Sequence, residues 1–253
     1  MKKGLIKTEE EINTIAEGGA ILHTILHKTA AMVKPGISTW KLNEFAEKEI
    51  AKAGGIPSFK GYGPKNNPYP AALCTSVNDV VVHGIPSKDE ILKDGDIVSL
   101  DIGMIYKDLY TDAALTVAVG NVPPKAQKLI DTAKKCLSNA IAQVHDGAKM
   151  GEVSFAIQKT AEDAGFSVVR DLVGHGVGYD VHEEPSVPCF GKKEQGPVLK
   201  AGMVIAIEPM VCEREFFLRF DSDGWTIRTA DGGLASHFEH TVAVTKDGGR
   251  ILT

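Results

Sequence analysis

The sequence predicts an α+β fold made of two related halves. Three observations carry that expectation. The order helix–helix–strands occurs twice along the 253 residues. Segments of the first copy align with segments of the second, in the same order. The composition, 43% hydrophobic and 24% charged, supplies a sizeable core for a soluble domain.

Taken in order, Thr8 followed by Glu9, Glu10 and Glu11 makes a helix start, with a capping hydroxyl and acids in the first turn. Ile12, Ile15, Leu22, Leu26 and Val33 continue at helical spacing until "KPGIS" breaks the run. A second helix is predicted from about Thr39 to Ala53, ended by Gly54-Gly55. β-like runs follow at "DVVVHGI" and through "IVSLDIGMIYKDLYTDAALTVAV". Pro123-Pro124 opens a third helix, with Ile130, Ala133, Leu137, Ile141 and Val144 on one face. A fourth runs from about Gly151 to Ala164. Strands are then expected in "SVVRDLV", "MVIAIEPMV", "TIRT" and "HTVAVT".

The repeat is visible residue by residue. Val33 to Gly54 aligns without gaps to Val144 to Gly165, and Ile91 to Asp101 aligns to Val198 to Glu208. "TVAV" occurs at Thr116 and again at Thr241. The expected organisation is one domain over residues 1–253, with internal halves at about 8–120 and 121–253 and an approximate two-fold axis between them. Asp101 then occupies the place of Glu208. Asp112, four residues before the first "TVAV", is answered by Glu239, two before the second. Both offsets are even, so in regular strands each acid shares a face with its threonine.

Bulk properties exclude several classes of function. A net charge of −5 offers no reason to expect nucleic acid or an anionic membrane as partner. No apolar run approaches the roughly 18 residues of a membrane span, and "MKKGLIKTEEEI" turns acidic before any secretory core develops. The cysteines at 74, 136, 189 and 212 match no zinc or redox spacing, so four reduced thiols in a cytosolic protein are expected.

The acids are the anomaly. An aspartate inside a strand runs against propensity, and a buried carboxylate is costly unless paired or metal-bound. With Lys107-Asp108 as a two-residue turn, Asp101 pairs near Ala114 and Asp112 lies two residues away on the same face; with the turn one residue earlier, the two aspartates lie opposite. Taken singly, such residues are more often turn or edge positions, and lone histidines are more often structural. Here "GHGVGYDVHEEP" adds His175 and His182 on glycine-rich backbone, "IAIEPM" places Glu208 in an apolar strand, and "ASHFEH" flanks Glu239 with His237 and His240. Four acids from two halves, with a histidine, describe an oxygen-rich site for two divalent cations, which favours Mn, Fe(II) or Co and suits hydrolysis.

Together "VVHGIP", "LDIG…YTDAA", "GHGVGYDVHEEP", "IEPM", "DGWT" and "FEHTVAVT" resemble the type I methionine aminopeptidases over nearly the whole chain. The resemblance implies the pita-bread fold, two pseudo-symmetric halves of antiparallel sheet backed by helices around a dinuclear centre. It implies Asp101, Asp112, His175, Glu208 and Glu239 as metal ligands, with Asp112 and Glu239 bridging, and Co, Mn or Fe(II) as the ions. It further implies removal of the initiator methionine from nascent chains and short peptides by a metal-bridging hydroxide. Glu208 would shuttle the proton, His182 would steady the carbonyl oxygen, and His83 would assist near the scissile nitrogen or free amine.

The resemblance also points to Tyr69, Cys74 and Trp225 as walls of the methionine pocket, with either Tyr62 or Tyr69 facing substrate because the segment 59–73 is longer than usual. Val181 stands where a bulkier residue often precedes the second histidine, and His237 stands where a glutamine is expected. Competing expectations are a proline-specific aminopeptidase of the same fold and a metal-free binding protein. The filled ligand positions oppose the latter; "VVHGIP", "DGWT" and the lack of a large amino-terminal domain oppose the former. The short His182–Glu208 interval and plain amino terminus point to a compact bacterial-like type I enzyme, expected as a cytoplasmic monomer.

Overall fold

The computed structural model describes residues 4–253. The first half holds α1 (Glu9–Ala30), α2 (Thr39–Lys52), β1 (Ile56–Pro57), β2 (Leu73–Val77), β3 (Val80–Val82), β4 (Ile97–Tyr106) and β5 (Leu109–Ala118). The second holds α3 (Pro124–Ile141), α4 (Met150–Asp163), β6 (Ser167–Val168), β7 (Val173–Gly176), β8 (Glu183–Pro188), β9 (Val204–Ile207) and β10 (Met210–Cys212). It continues with β11 (Leu218–Phe220), β12 (Ile227–Thr229), β13 (Ala235–His237), β14 (Glu239–Val244) and β15 (Gly249–Ile251).

Helix α1 starts where the sequence places it. Thr8 Oγ1 accepts the Glu11 N–H at 3.2 Å, and Glu11 Oε2 accepts the Thr8 N–H at 2.8 Å, a reciprocal capping box. Val33 and Val144, expected on helix faces, lie just beyond α1 and α3, although Val144 is still buried. The chain must turn at Gly36 and Gly147, both at positive φ, and the helices stop short of those turns.

One nine-stranded sheet spans both halves, in the order β1-β4-β5-β14-β9-β7-β8, with β2 added on β4 and β15 on β14. The β4–β5 hairpin turns at Lys107-Asp108, both left-handed at φ 49° and 64°, as a tight two-residue turn demands. Asp101 pairs with Ala114 and Asp112 with Gly103, so the two aspartates share a face. This is the first of the two registers the sequence allowed.

The repeat recurs in the hydrogen bonds. Gly36 N donates to Leu92 O and Leu92 N to Ile37 O (2.8 and 2.9 Å); Gly147 N donates to Leu199 O and Leu199 N to Ala148 O (2.9 and 2.7 Å). Isolated bridges Ser38–Ile91 and Lys149–Val198 follow the same equivalence. At the β5–β14 seam, Thr241 Oγ1 both donates to Asp112 O and accepts from Asp112 N (2.8 and 3.0 Å). Thr116 Oγ1 makes the same pair of bonds to His237 O and N, at 2.8 and 3.0 Å. The two "TVAV" threonines thus clamp each other's strands. The operation that exchanges them relates Asp112 to His237, whereas sequence inspection matched Asp112 to Glu239; Glu239 pairs with Ala114 instead.

The helices cover the outer face of the sheet. Leu22, Leu42, Ile50, Leu100 and Ile102 pack in the first half, and Leu129, Ala133, Ile157, Ile205 and Val242 in the second. Burying each of the larger aliphatic side chains contributes about 1.5–3 kcal/mol before the cost of ordering. Two predicted strands are interrupted. "SVVRDLV" breaks at the exposed Arg170-Asp171. "MVIAIEPMV" breaks at Glu208-Pro209, because proline has no N–H for the ladder. Glu208 therefore lies immediately past β9 rather than inside a strand. Among the described residues, no helix is long and apolar enough to cross a membrane.

Candidate metal centre

A cavity of about 120 Å³ opens on the face of the sheet opposite the helices. The eleven residues to which the resemblance gives a ligand, catalytic or pocket role line it: Tyr62, Tyr69, Cys74, His83, Asp101, Asp112, His175, His182, Glu208, Trp225 and Glu239. Phe59 is the one further lining residue. It belongs to the long segment 59–73, and its aromatic ring before a glycine-rich stretch was the only available signal.

Backbone pairing explains the convergence. Cys74 is opposite Asp101 across β2–β4, Asp101 opposite Ala114 across β4–β5, and Ala114 opposite Glu239 across the seam. One row of Cα partners thus carries the thiol and two of the acids through four strands. His175 pairs with Ala206 on β9, two residues before Glu208. Gly174 and Gly176 flank it because a Cβ at either would lie 2.5 or 2.1 Å from a backbone oxygen, that of Ala206 or Glu184.

Ligand atoms of Asp112, His175 and Glu239 all lie within 4.8 Å of one another. His175 Nδ1 meets its neighbour's carbonyl, Gly176 O, at 2.9 Å. A carbonyl only accepts, so Nδ1 carries the proton and Nε2 presents a lone pair to the cavity. Glu208 sits between two imidazoles, with His175 Nε2 3.5 Å from Oε1 and His237 Nε2 3.5 Å from Oε2. His237 is 2% exposed, so the residue that replaces the expected glutamine does face the cluster, from behind Glu208.

The electrostatics are those of a cation cage. Burial pushes Asp112 and Glu239 well above the usual carboxylate range, and the neighbouring acids push them further. Asp101 is raised by burial to about 6, although His237 pulls it down. Glu208 differs: burial raises it, but His237 and His175 outweigh that and leave it below its ordinary value. Asp101 Oδ1, Asp112 Oδ1 and Glu239 Oε1 are buried without a hydrogen-bond partner. Buried oxygens are seldom left so. Among the described residues, no Lys or Arg lines the cavity to neutralise them. Converging hard oxygens with one imidazole lone pair fit divalent cations.

Around the cage stand the remaining residues. His182 lies on the loop after β7, its ring 4.4 Å from that of His175 and its Nδ1 2.7 Å from the Tyr62 hydroxyl. His83 follows β3 in a left-handed conformation, φ 59°, which costs on the order of 1–3 kcal/mol and turns the ring toward Trp225. Tyr69 and Cys74 are each 3% exposed and pack with Phe59 and Trp225. The sequence left Tyr62 and Tyr69 as alternatives; both line the cavity, Tyr69 as buried wall and Tyr62 at the mouth. The long segment is docked: Asn67 Nδ2 donates to Asp223 O (2.9 Å) and Trp225 Nε1 donates to Asn67 O (3.0 Å). Val181 is buried but does not line the cavity.

The pattern of metallopeptidase family M24 matches residues 13–246. The chain belongs to metallopeptidase family M24. Within this family it is 48% identical to the curated methionine aminopeptidase of Aquifex aeolicus over 252 residues, covering 97% of each chain. It is 46% identical to that of Clostridium perfringens over 250 residues, covering 98% of each. The crystal structure of the Thermotoga maritima methionine aminopeptidase superposes with a TM-score of 0.95 at 42% identity, covering 98% of each chain. The prolidase of Pyrococcus furiosus shares the fold alone, with a TM-score of 0.79 at 22% identity over 98% of this chain and 65% of that one. The M24 fold is the expected pita-bread, mixed helices backing antiparallel sheet.

Proposed function

We propose that this M24 chain removes the initiator methionine from new polypeptides and short peptides by metal-dependent hydrolysis. The observation that carries the proposal is the carboxylate cage opening directly onto an aromatic and thiol-lined pocket. Asp101, Asp112, His175, Glu208 and Glu239 would hold two divalent ions. Bound ions of the Co, Mn or Fe(II) class supply Lewis acidity toward a peptide carbonyl and lower the pKa of water toward neutrality.

The chain's own residues do the rest. Phe59, Tyr69, Cys74 and Trp225 receive the methionine side chain, whose flexible thioether suits apolar and aromatic walls. Glu208, held below its ordinary pKa by His175 and His237, is ionised and ready to take a proton from the attacking water. It then returns that proton to the leaving amine. With Nδ1 of His182 accepting from Tyr62, the ring proton sits on Nε2, a donor for the carbonyl oxygen as negative charge builds on it. His83, on the other wall, faces the free amine and the scissile nitrogen. A small second residue is the preference that this reading expects. The two halves, about 8–120 and 121–253, act as one catalytic domain in a cytoplasmic monomer that meets nascent chains.

The test strips metal with a chelator, restores Mn, Fe(II) or Co, and follows cleavage of Met-Ala-Ser and of an X-Pro peptide. Release of methionine from Met-Ala-Ser is expected. Cleavage of the X-Pro peptide alone would replace this reading with a proline-specific one, and cleavage of neither with any metal would refute both.

A further inference from the structure

A second cavity, about 400 Å³, lies between α1, α3 and β14. Its walls bring together three of the chain's eight histidines, His23, His27 and His240. His23 and His27 are four apart on α1 and so share one helix face, with ring centroids 4.2 Å apart. His240 follows Glu239 on β14, so the alternation of the strand turns it to the opposite face of the sheet. The proposed catalytic ligand and the histidine thus stand back to back.

The chemistry of the three rings is that of ligands. His240 Nδ1 lies 3.1 Å from Thr253 Oγ1, and that hydroxyl also accepts the Thr241 N–H at 3.0 Å. Its two lone pairs allow it to accept from both; in that tautomer Nε2 of His240 is the ligand atom and the ring is held, as outer partners hold metal-bound histidines. His23 and His27 are exposed, so their rings turn without repacking the core. Turning is required, because among the described residues only Asp112, His175 and Glu239 have ligand atoms already converged. Among the described residues Lys134 is the one Lys or Arg on the cavity wall; it is exposed and can swing into solvent.

We propose that His23, His27 and His240 form a separate metal site for a borderline ion of the zinc class, tying α1 to β14 at the seam between the halves. Three neutral imidazoles with a water in the fourth position suit Zn²⁺, whereas the oxygen-rich cage suits harder ions. The two sites therefore differ in the metal they select, and the new one does not depend on the catalytic reading. Binding there holds the C-terminal turns of α1 against the strand that carries Glu239.

Native mass spectrometry with Zn²⁺ as the probe counts ions per folded chain. The wild type is expected to bind one Zn²⁺ more than the double variant His23→Ala/His27→Ala. The variant Asp101→Asn/Asp112→Asn is expected to keep the extra ion, and His145→Ala, a histidine outside this cavity, to bind as the wild type does. Hydrogen exchange in the last turns of α1 should slow on Zn²⁺ addition in the wild type and not in the double variant. Equal zinc counts in the wild type and His23→Ala/His27→Ala would overturn the proposal. So would loss of every zinc ion from Asp101→Asn/Asp112→Asn.

Discussion

Replacing Asp112 by Asn should change sign with metal. Asp112 and Glu239 present oxygens within 4.8 Å of each other, so two full charges there repel by about 3.5 kcal/mol at an effective dielectric of ~20. Proton uptake already relieves part of this, since burial and the neighbouring acids raise both groups. In excess chelator, Asp112→Asn is therefore expected to stabilise the fold by about 1–3 kcal/mol, raising Tm by roughly 2–4 °C per kcal/mol. With Mn²⁺ at a thousand times its Kd, the wild type gains about 4.1 kcal/mol from binding. The variant, short of one carboxylate charge in the cage, is expected to lose most of that gain. Thermal unfolding of both proteins in chelator and in Mn²⁺ should thus invert their order. If Asp112→Asn is equally destabilised in both conditions, the carboxylates are not held in readiness for a cation, and the reading of the cage fails.

Other outcomes follow from the surrounding structure. Glu208→Gln should lower kcat by at least about 100-fold, the order expected for loss of general acid–base catalysis, in the Met-Ala-Ser assay. Tyr62→Phe, which removes the partner of His182 Nδ1, is expected to reduce kcat roughly tenfold while KM stays within a factor of about three, since a misoriented donor weakens only the charged transition state. Lys7 has a side chain 1% exposed and an ammonium 2.5 Å from Glu183, whose other oxygen accepts the Asp180 N–H at 2.8 Å beside His182. Lys7→Met breaks one side of this buried pair and should cost about 3–5 kcal/mol in urea unfolding. Thr241→Val strands a backbone donor and acceptor of Asp112, and a loss of about 2–4 kcal/mol by the same measurement would match two unsatisfied buried groups.

Much of the molecule could be read before folding. Thr8 and Glu11 signal the α1 start because a capping box is local. The repeat is legible because Gly36/Gly147 and Gly54/Gly165 need positive φ, and such turns tolerate few substitutes. Asp101, Asp112, Glu208 and Glu239 stand out because acids among apolar neighbours contradict their surroundings unless something positive arrives; His175 joins them through the motif resemblance. Strand breaks were harder to read. Glu208 looked interior to a strand because the residues around it are apolar, yet Pro209 ends the ladder there.

By itself, then, the sequence determined which residues are chemically out of place and that the chain repeats. It also carried the motif set whose family membership the full-length relatives share. Only the tertiary structure decided which partners those residues meet. The reciprocal bonds of Thr116 and Thr241 relate Asp112 to His237, an equivalence hidden because hydrogen bonds across the seam join residues more than 120 positions apart. Phe59 joins the pocket, Lys7 reaches the loop of His182, and His240 shares a cavity with His23 and His27 for the same reason. Periodicity and capping act over a few residues of chain, whereas a site is assembled by packing, which sets distances between segments that local sequence does not encode.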